Sequence, residues 1–198
     1  MKEFVAACVQ IAATPNDVQA NVEKGVAWLE RAAREFEAEL VVFPETITTT
    51  FVTGLDAREL WDLVDEAPGR ITAEIQKAAR ALGVHVVWPT YRRGPERGVV
   101  YNSSILIGPD GDIVGIYDKT HPFPVERLDC GGWVTVGNRA DVFETSLGSI
   151  GMIICYDGDF PELFRAMAIM GAEVVCRPSM LTRSFEIWEL TNRARAYD

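Results

Sequence analysis

Three reactive side chains stand just beyond apolar runs of the sequence. Glu45 follows Leu40-Val41-Val42-Phe43-Pro44, Lys119 follows Ile113 to Tyr117, and Cys155 follows Ser149 to Ile154. A carboxylate, an ammonium and a thiol at the ends of buried strands occupy the edge where open α/β sheets bind ligands. The chemistry they share is nucleophilic acyl transfer. A thiol that titrates near about 8.5 is mostly protonated at neutral pH, so it needs a base or a depressed pKa. Glu45 has the chemistry of that base. Lys119 can stabilise a thiolate and donate to an oxyanion beside the backbone N–H of Tyr156. A helix opening at Asp159 would present its positive end to Cys155. Each residue alone has an ordinary explanation: a loop carboxylate, a solvated hairpin end and an inert core thiol. His121, near Lys119 in sequence, is the competing base for Cys155 in a Cys/His dyad.

The elements that must position these groups are legible from periodicity. Phe4 to Ile11 is short, apolar and stopped by Thr14-Pro15-Asn16-Asp17, which predicts a buried strand. From Asp17 to Phe36, Val18, Val22, Val26, Leu29, Ala33 and Phe36 recur every three or four residues, one face of a helix capped by Asn16 or Asp17. Leu40 to Phe43 and Val84 to Trp88 read as strands, with helical pieces over Asp56–Val64 and Ile71–Leu82 between them and Gly83 as a C-terminal stop. Val99–Ile107 and Ile113–Tyr117 flank Pro109-Asp110-Gly111-Asp112, which predicts an antiparallel hairpin. Asp141–Thr145 and Ser149–Ile154 form a second pair. A helix then runs from Asp159 to Gly171, a strand from Glu173 to Cys176, and a helix from Ser184 to Tyr197. The alternation implies a layered α/β domain with a mixed sheet.

Composition narrows the classes. The 198 residues carry 29 acidic and 19 basic side chains, a formal charge of −10, which disfavours a nucleic-acid partner. No window approaches the run of about 18 apolar residues that a membrane span needs, and the N-terminus lacks a signal-peptide pattern. Cys8, Cys130, Cys155 and Cys176 form no Cys-x-x-Cys pair, and the two histidines are too few for a His-rich metal site. The expectation is a cytoplasmic protein with reduced thiols, Cys8 and Cys176 buried in strands, and no His-rich or Cys-x-x-Cys metal site.

In this order, Val-Val-Phe-Pro-Glu-Thr at 41–46, Tyr-Asp-Lys-Thr-His at 117–121 and Ile-Ile-Cys-Tyr-Asp at 153–157 resemble the nitrilase superfamily of carbon–nitrogen hydrolases. Ala6-Ala7-Cys8-Val9-Gln10, Tyr101-Asn102-Ser103, Pro161-Glu162, Gly171-Ala172-Glu173 and Arg193-Ala194-Arg195-Ala196 extend the likeness along the chain. The resemblance implies a four-layer α-β-β-α sandwich and a single carbon–nitrogen hydrolase domain over residues 1–198. Family members generally continue past the Arg-Ala-Arg-Ala helix, so it also implies that C-terminal elements are lacking. Glu45 would be the general base, Lys119 the stabiliser of the tetrahedral intermediate, Cys155 the nucleophile, and Glu126, in Pro-Val-Glu-Arg, a second carboxylate that positions substrate or Lys119.

The resemblance further implies a small-molecule amide, nitrile or carbamoyl substrate, no cofactor and a homo-oligomer. Cys-Tyr-Asp-Gly-Asp-Phe-Pro-Glu at 155–162 is more similar to amide-hydrolysing branches, whereas Val125-Glu126-Arg127 is similar to true nitrilases. Phe123 falls where amidases place an aromatic wall, and Ser179 follows a strand towards the same edge. Arg177 could bind a substrate carboxylate bidentately, as an N-carbamoyl amino acid requires, or form a structural ion pair. The competing class is a catalytically silent nitrilase-like binding module.

Overall fold

The structure, a computed structural model, describes residues 3–180 and 184–197. Five strands form the first sheet in the spatial order β1 (Ala6–Cys8), β2 (Leu40–Val42), β3 (His85–Arg93), β4 (Val100–Ile107) and β5 (Ile113–Asp118). The first three are mutually parallel, and β3, β4 and β5 pair antiparallel. Alternation along the strands sorts side chains to two faces. Val86 and Trp88 face α1 (Val18–Glu35) and α3 (Arg70–Leu82), burying Leu29, Ile71 and Ile75. Val87 and Leu106 face the other way, onto the second sheet. Trp88, fully buried, meets Phe43 edge-on with centroids 4.9 Å apart.

The helices carry the stops and caps their sequences announce. The Asp17 side chain accepts from Ala20 N at the start of α1, and Gly83 closes α3 in the left-handed region at φ 68°. Between them, α2 (Ala57–Leu63) begins with a reciprocal cap: Asp56 accepts from Arg58 N and Glu59 N while Glu59 accepts from Asp56 N.

The second sheet is β6 (Val142–Thr145), β7 (Gly148–Met152) and β8 (Val174–Cys176), with β6–β7 antiparallel and β7–β8 parallel. Its Leu147, Ile150 and Met152 share one core with Leu40, Val87, Leu106 and Tyr117 of the first sheet. The sheets come very close at one point, where a Cβ on Gly115 would lie 2.1 Å from the Phe143 ring. Only glycine lets that ring pack this close to β5. On the outer side, α4 (Pro161–Ile169) packs Leu163, Phe164 and Met167, and α5 (Phe185–Tyr197) lies beside it with no fully buried residue. The layers are therefore α-β-β-α.

Three expectations change. Phe4–Ile11 is a strand only over Ala6–Cys8, and it is an edge strand with Cys8 exposed, because among the described residues β2 is its sole neighbour. The strand starting near Val84 runs on through Pro89 to Arg93. Phe43 N donates to Val87 O, so the same side of β3 at Pro89 lies beyond the end of β2, where no strand needs the missing N–H; Ile47 N donates to Pro89 O instead. The helix expected from Asp159 starts at Pro161 with Phe160 at its cap, since Cys155–Asp159 winds first into a 3-10 turn.

Candidate active site

Four polar side chains meet in the water-excluded interior where the first sheet ends. The chain turns sharply after β2 and Pro44, with Thr46 at φ 50° and Thr48 Oγ1 hydrogen-bonded to Thr90 Oγ1 at 2.6 Å. That turn points Glu45 inward. Lys119 directly follows β5, its N–H bonded to Asn102 O at 2.8 Å and its carbonyl accepting from Gly137 N at 2.9 Å. Lys119 Nζ then lies 2.8 Å from Glu45 Oε1 and 2.6 Å from Glu126 Oε2, and all three side chains have 0% exposure. Asn102, on β4, donates through Nδ2 to Glu45 Oε1 at 2.9 Å and to Glu126 Oε1 at 2.8 Å. Glu126 in turn accepts from Phe123 N.

Electrostatics follow from one ammonium between two carboxylates without water. Burial alone would push the Lys119 ammonium down, but Glu45 and Glu126 outweigh it and the net shift is upward, so Lys119 stays charged. Burial pushes the Glu126 carboxyl up, and the negative Glu45 adds to that against the opposing pull of Lys119.

Cys155 arrives from the second sheet. The parallel pairing of β7 and β8 brings Met152 opposite Cys176, so the segments after both strands leave at the same end. Cys155 N donates to Pro178 O at 2.8 Å, and its carbonyl accepts from Arg177 Nε at 2.9 Å. Between these bonds the residue sits at φ 46°, left-handed backbone that costs an L side chain roughly 1–2 kcal/mol. The same segment reaches Glu45, whose Oε2 accepts from Met180 N at 2.9 Å. Glu45 and the Cys155 backbone are thus held by one loop. The thiol does not rest as a thiolate: burial, then the negative Glu45, push it up to about 12 against the pull of Lys119 and Ser179. The expected depression by Lys119 and a helix end is outweighed by desolvation.

Asp157 ties the two sheets' contributions together. One oxygen accepts from Tyr117 Oη at 2.8 Å and Ile154 N at 2.9 Å, and the other from His121 N at 2.8 Å. It thereby fastens the Lys119 loop to the Cys155 turn. His121, the alternative base, stacks on Phe160 with centroids 3.7 Å apart and points Nδ1 towards Thr120 and Asp157. Phe123 belongs to an aromatic wall, edge-on to Phe51 at 6.4 Å and to Tyr156 at 5.2 Å. Phe51 also lies over Lys119 Nζ at 5.4 Å. Ser179 lies beside the thiol. Arg177 has other partners than a substrate carboxylate: besides the Cys155 carbonyl, it bonds Thr191 and Asn192 on α5.

Asn102, Asp157 and Phe51 are site residues that the sequence reading did not single out. Asn102 lay within a recognised segment, and its Asn-Ser-Ser setting in a buried strand was the available signal; Phe51, in a threonine-rich loop, gave none. Among the described residues no His, Cys, Asp or Glu cluster suits a metal, and no helix is long and apolar enough to cross a membrane.

Residues 5–198 match the family model described as Carbon-nitrogen hydrolase. A probable nitrilase of Schizosaccharomyces pombe is 29% identical over 194 residues, covering 97% of this chain and 70% of its own. A formamidase of Bacillus cereus is 31% identical over 205 residues, covering 98% of this chain and 59% of its own, so the chain spans little more than half that enzyme's length. Among solved structures, Saccharomyces cerevisiae Nit3, a member of branch 10 of the nitrilase superfamily, superposes with a TM-score of 0.81 at 26% identity, over 96% of this chain and 70% of its own.

Proposed function

The chain belongs to the carbon–nitrogen hydrolase family, and from that premise we propose that it hydrolyses a small amide to a carboxylic acid and ammonia through a thioester on Cys155. The observation that carries this reading is the dry cluster of Glu45, Lys119, Glu126 and Asn102, joined to Cys155 through the loop that bonds both Glu45 and the thiol's backbone.

The steps follow from the geometry. Because the thiol is held up near about 12, its proton moves to Glu45 as the sulfur attacks the carbonyl carbon. Negative charge gathers on the carbonyl oxygen, where the Lys119 ammonium and the Tyr156 backbone N–H stabilise it. The C–N bond breaks and ammonia leaves with the proton that Glu45 returns. Water gives a proton to Glu45 and attacks the thioester; the C–S bond breaks, the acid departs and the thiol recovers its proton. Glu126 holds Lys119 from the other side and orients the substrate amide. The wall of Phe51, Phe123 and Tyr156 suits a short uncharged acyl group. A nitrile substrate is the second reading, supported by the yeast relative's name and the Val125-Glu126-Arg127 segment.

The test is ammonia release from a short aliphatic amide, an aromatic nitrile and an N-carbamoyl amino acid, with Cys155→Ala as the blank. Ammonia from the amide that vanishes in the variant supports the reading. Release from the nitrile alone moves the activity to the second reading, and silence towards all three favours a binding module.

A further inference from the structure

Outside the acyl-transfer cluster, Arg177, just after β8, is densely engaged. Its side chain is 7% exposed, and its guanidinium makes several directed contacts. Nε donates to the Cys155 carbonyl at 2.9 Å. Nη1 donates to Thr191 Oγ1 at 3.0 Å and Asn192 Oδ1 at 2.7 Å, and Nη2 lies 3.6 Å from Asp159 Oδ1. Its cationic carbon stands 4.2 Å over the Trp188 ring. Trp188, Thr191 and Asn192, spaced at i, i+3 and i+4, form the inner face of α5, so the arginine bridges that helix and the nucleophile's backbone.

The chain leaves room for this. A Cβ on Gly158 would lie 1.9 Å from the Arg177 Cζ, so the 155–159 turn closes over the guanidinium only because that position has no side chain. Cys155 itself is held in left-handed backbone at φ 46°, and a strained conformation persists only where its surroundings over-determine it. The two backbone bonds of Cys155 come from consecutive residues: Pro178 receives its N–H and Arg177 supplies its carbonyl's donor. A carbonyl fixed in this way also fixes the plane of its own peptide, whose N–H is that of Tyr156.

We propose that Arg177 is a positioning residue of the acyl-transfer site: it pins the Cys155–Tyr156 peptide in the orientation that aims both the thiol and the Tyr156 N–H at the reacting carbonyl, and it makes that orientation depend on α5. The inference rests on the hydrolase reading. It does not assign Arg177 a contact with substrate.

Two substitutions of unlike kind test it. Arg177→Lys keeps the charge and loses the fork. Gly158→Ala keeps the arginine and drives it out of its seat, which also serves should the lysine variant fail to fold. Both are expected to lower kcat for a short amide by about 100-fold, the scale of a misplaced reacting group, with KM changed less than about twofold. Alkylation of Cys155 by iodoacetamide, followed site by site with mass spectrometry and normalised to folded protein, should slow in step.

Variants matching the native protein in kcat and in Cys155 alkylation overturn the proposal. So does a KM rise confined to substrates bearing a carboxylate, which would make Arg177 a binding residue. A fall in kcat that vanishes once divided by the folded fraction overturns it too, leaving Arg177 a stability residue. The hydrolase reading fails differently. Then the native protein itself releases no ammonia from any of the three substrates, and the positioning role falls with it.

Discussion

Replacing Lys119 by methionine keeps the length of the side chain and removes its charge. Lys119 Nζ contacts Glu45 Oε1 at 2.8 Å and Glu126 Oε2 at 2.6 Å, and none of the three side chains is exposed. Removing one partner of a buried ion pair costs about 3–5 kcal/mol, because the other charge stays buried and uncompensated. Here two carboxylates are stranded together, with Asn102 the donor bridging them. Protonation is their way out. Glu126 is already shifted upward with Lys119 in place, and losing Lys119 removes the largest influence holding it down. A carboxyl whose pKa is higher folded than unfolded binds more protons in the native state. Its contribution is favourable below the ordinary carboxylate range and is lost as pH rises through the folded value, at about 1.4 kcal/mol per pH unit for each such group. Urea unfolding of native and Lys119→Met protein should therefore show a loss of about 3–5 kcal/mol near pH 8 that shrinks steadily towards pH 5. Adding Glu126→Gln should recover part of the loss at the higher pH. A loss below about 1 kcal/mol at pH 8, or one equal at both pH values, would refute the account of the cluster.

Other outcomes follow from the same geometry. Cys155→Ala should abolish turnover, while Cys155→Gly, equally inactive, should be about 1 kcal/mol more stable than the alanine variant in urea, since glycine relieves the strain at φ 46°. Glu45→Gln should abolish ammonia release from a short amide, because an amide cannot accept the proton of a thiol pushed up to about 12, and should leave the alkylation of exposed Cys8 and Cys130 unchanged; an ammonia assay and mass spectrometry of the alkylated peptides read the two. Asp157→Asn should cost about 2–3 kcal/mol of unfolding free energy, because an amide turned either way sets an NH₂ against N–H or O–H donors now shared by the two oxygens. Its kcat should fall too, since the Lys119 and Cys155 loops lose their common tether.

The sequence displayed the reactive groups because each follows a hydrophobic run, and a run of four to eight apolar residues is a local signal. Glu45, Lys119 and Cys155 needed no knowledge of what lay opposite, whereas Glu126, in Pro124-Val125-Glu126-Arg127, follows no such run and was reached only through the family resemblance. Asn102 was different: its role as the donor bridging both carboxylates depends on Glu45, 57 residues away, and on Glu126, 24 residues away. The bond between Met180 and Glu45 spans 135 residues, a separation at which no periodicity operates. Arg177 shows a further limit. A cation next to a strand end suggests an anionic ligand, but orientation decides, and the open space at Gly158 together with the polar face of α5 turned it towards backbone. Cys8 misled for a related reason: an apolar strand at the edge of a sheet looks, residue by residue, like one at the centre.

The contact between Gly115 and Phe143 gives the sandwich a gauge. Glu45, Asn102 and Lys119 ride on one sheet and Cys155 on the other, so the gap between the thiol and the carboxylate proposed to take its proton is set by how far apart the two layers stand. Where the Phe143 ring rests against bare backbone, that distance has a hard stop with no side chain to compress. A methyl group added at Gly115, well away from the reacting atoms in the sequence, would act as a shim. It would widen the seam, and on the proposed hydrolase reading the change would register as lost turnover before it registered as lost fold.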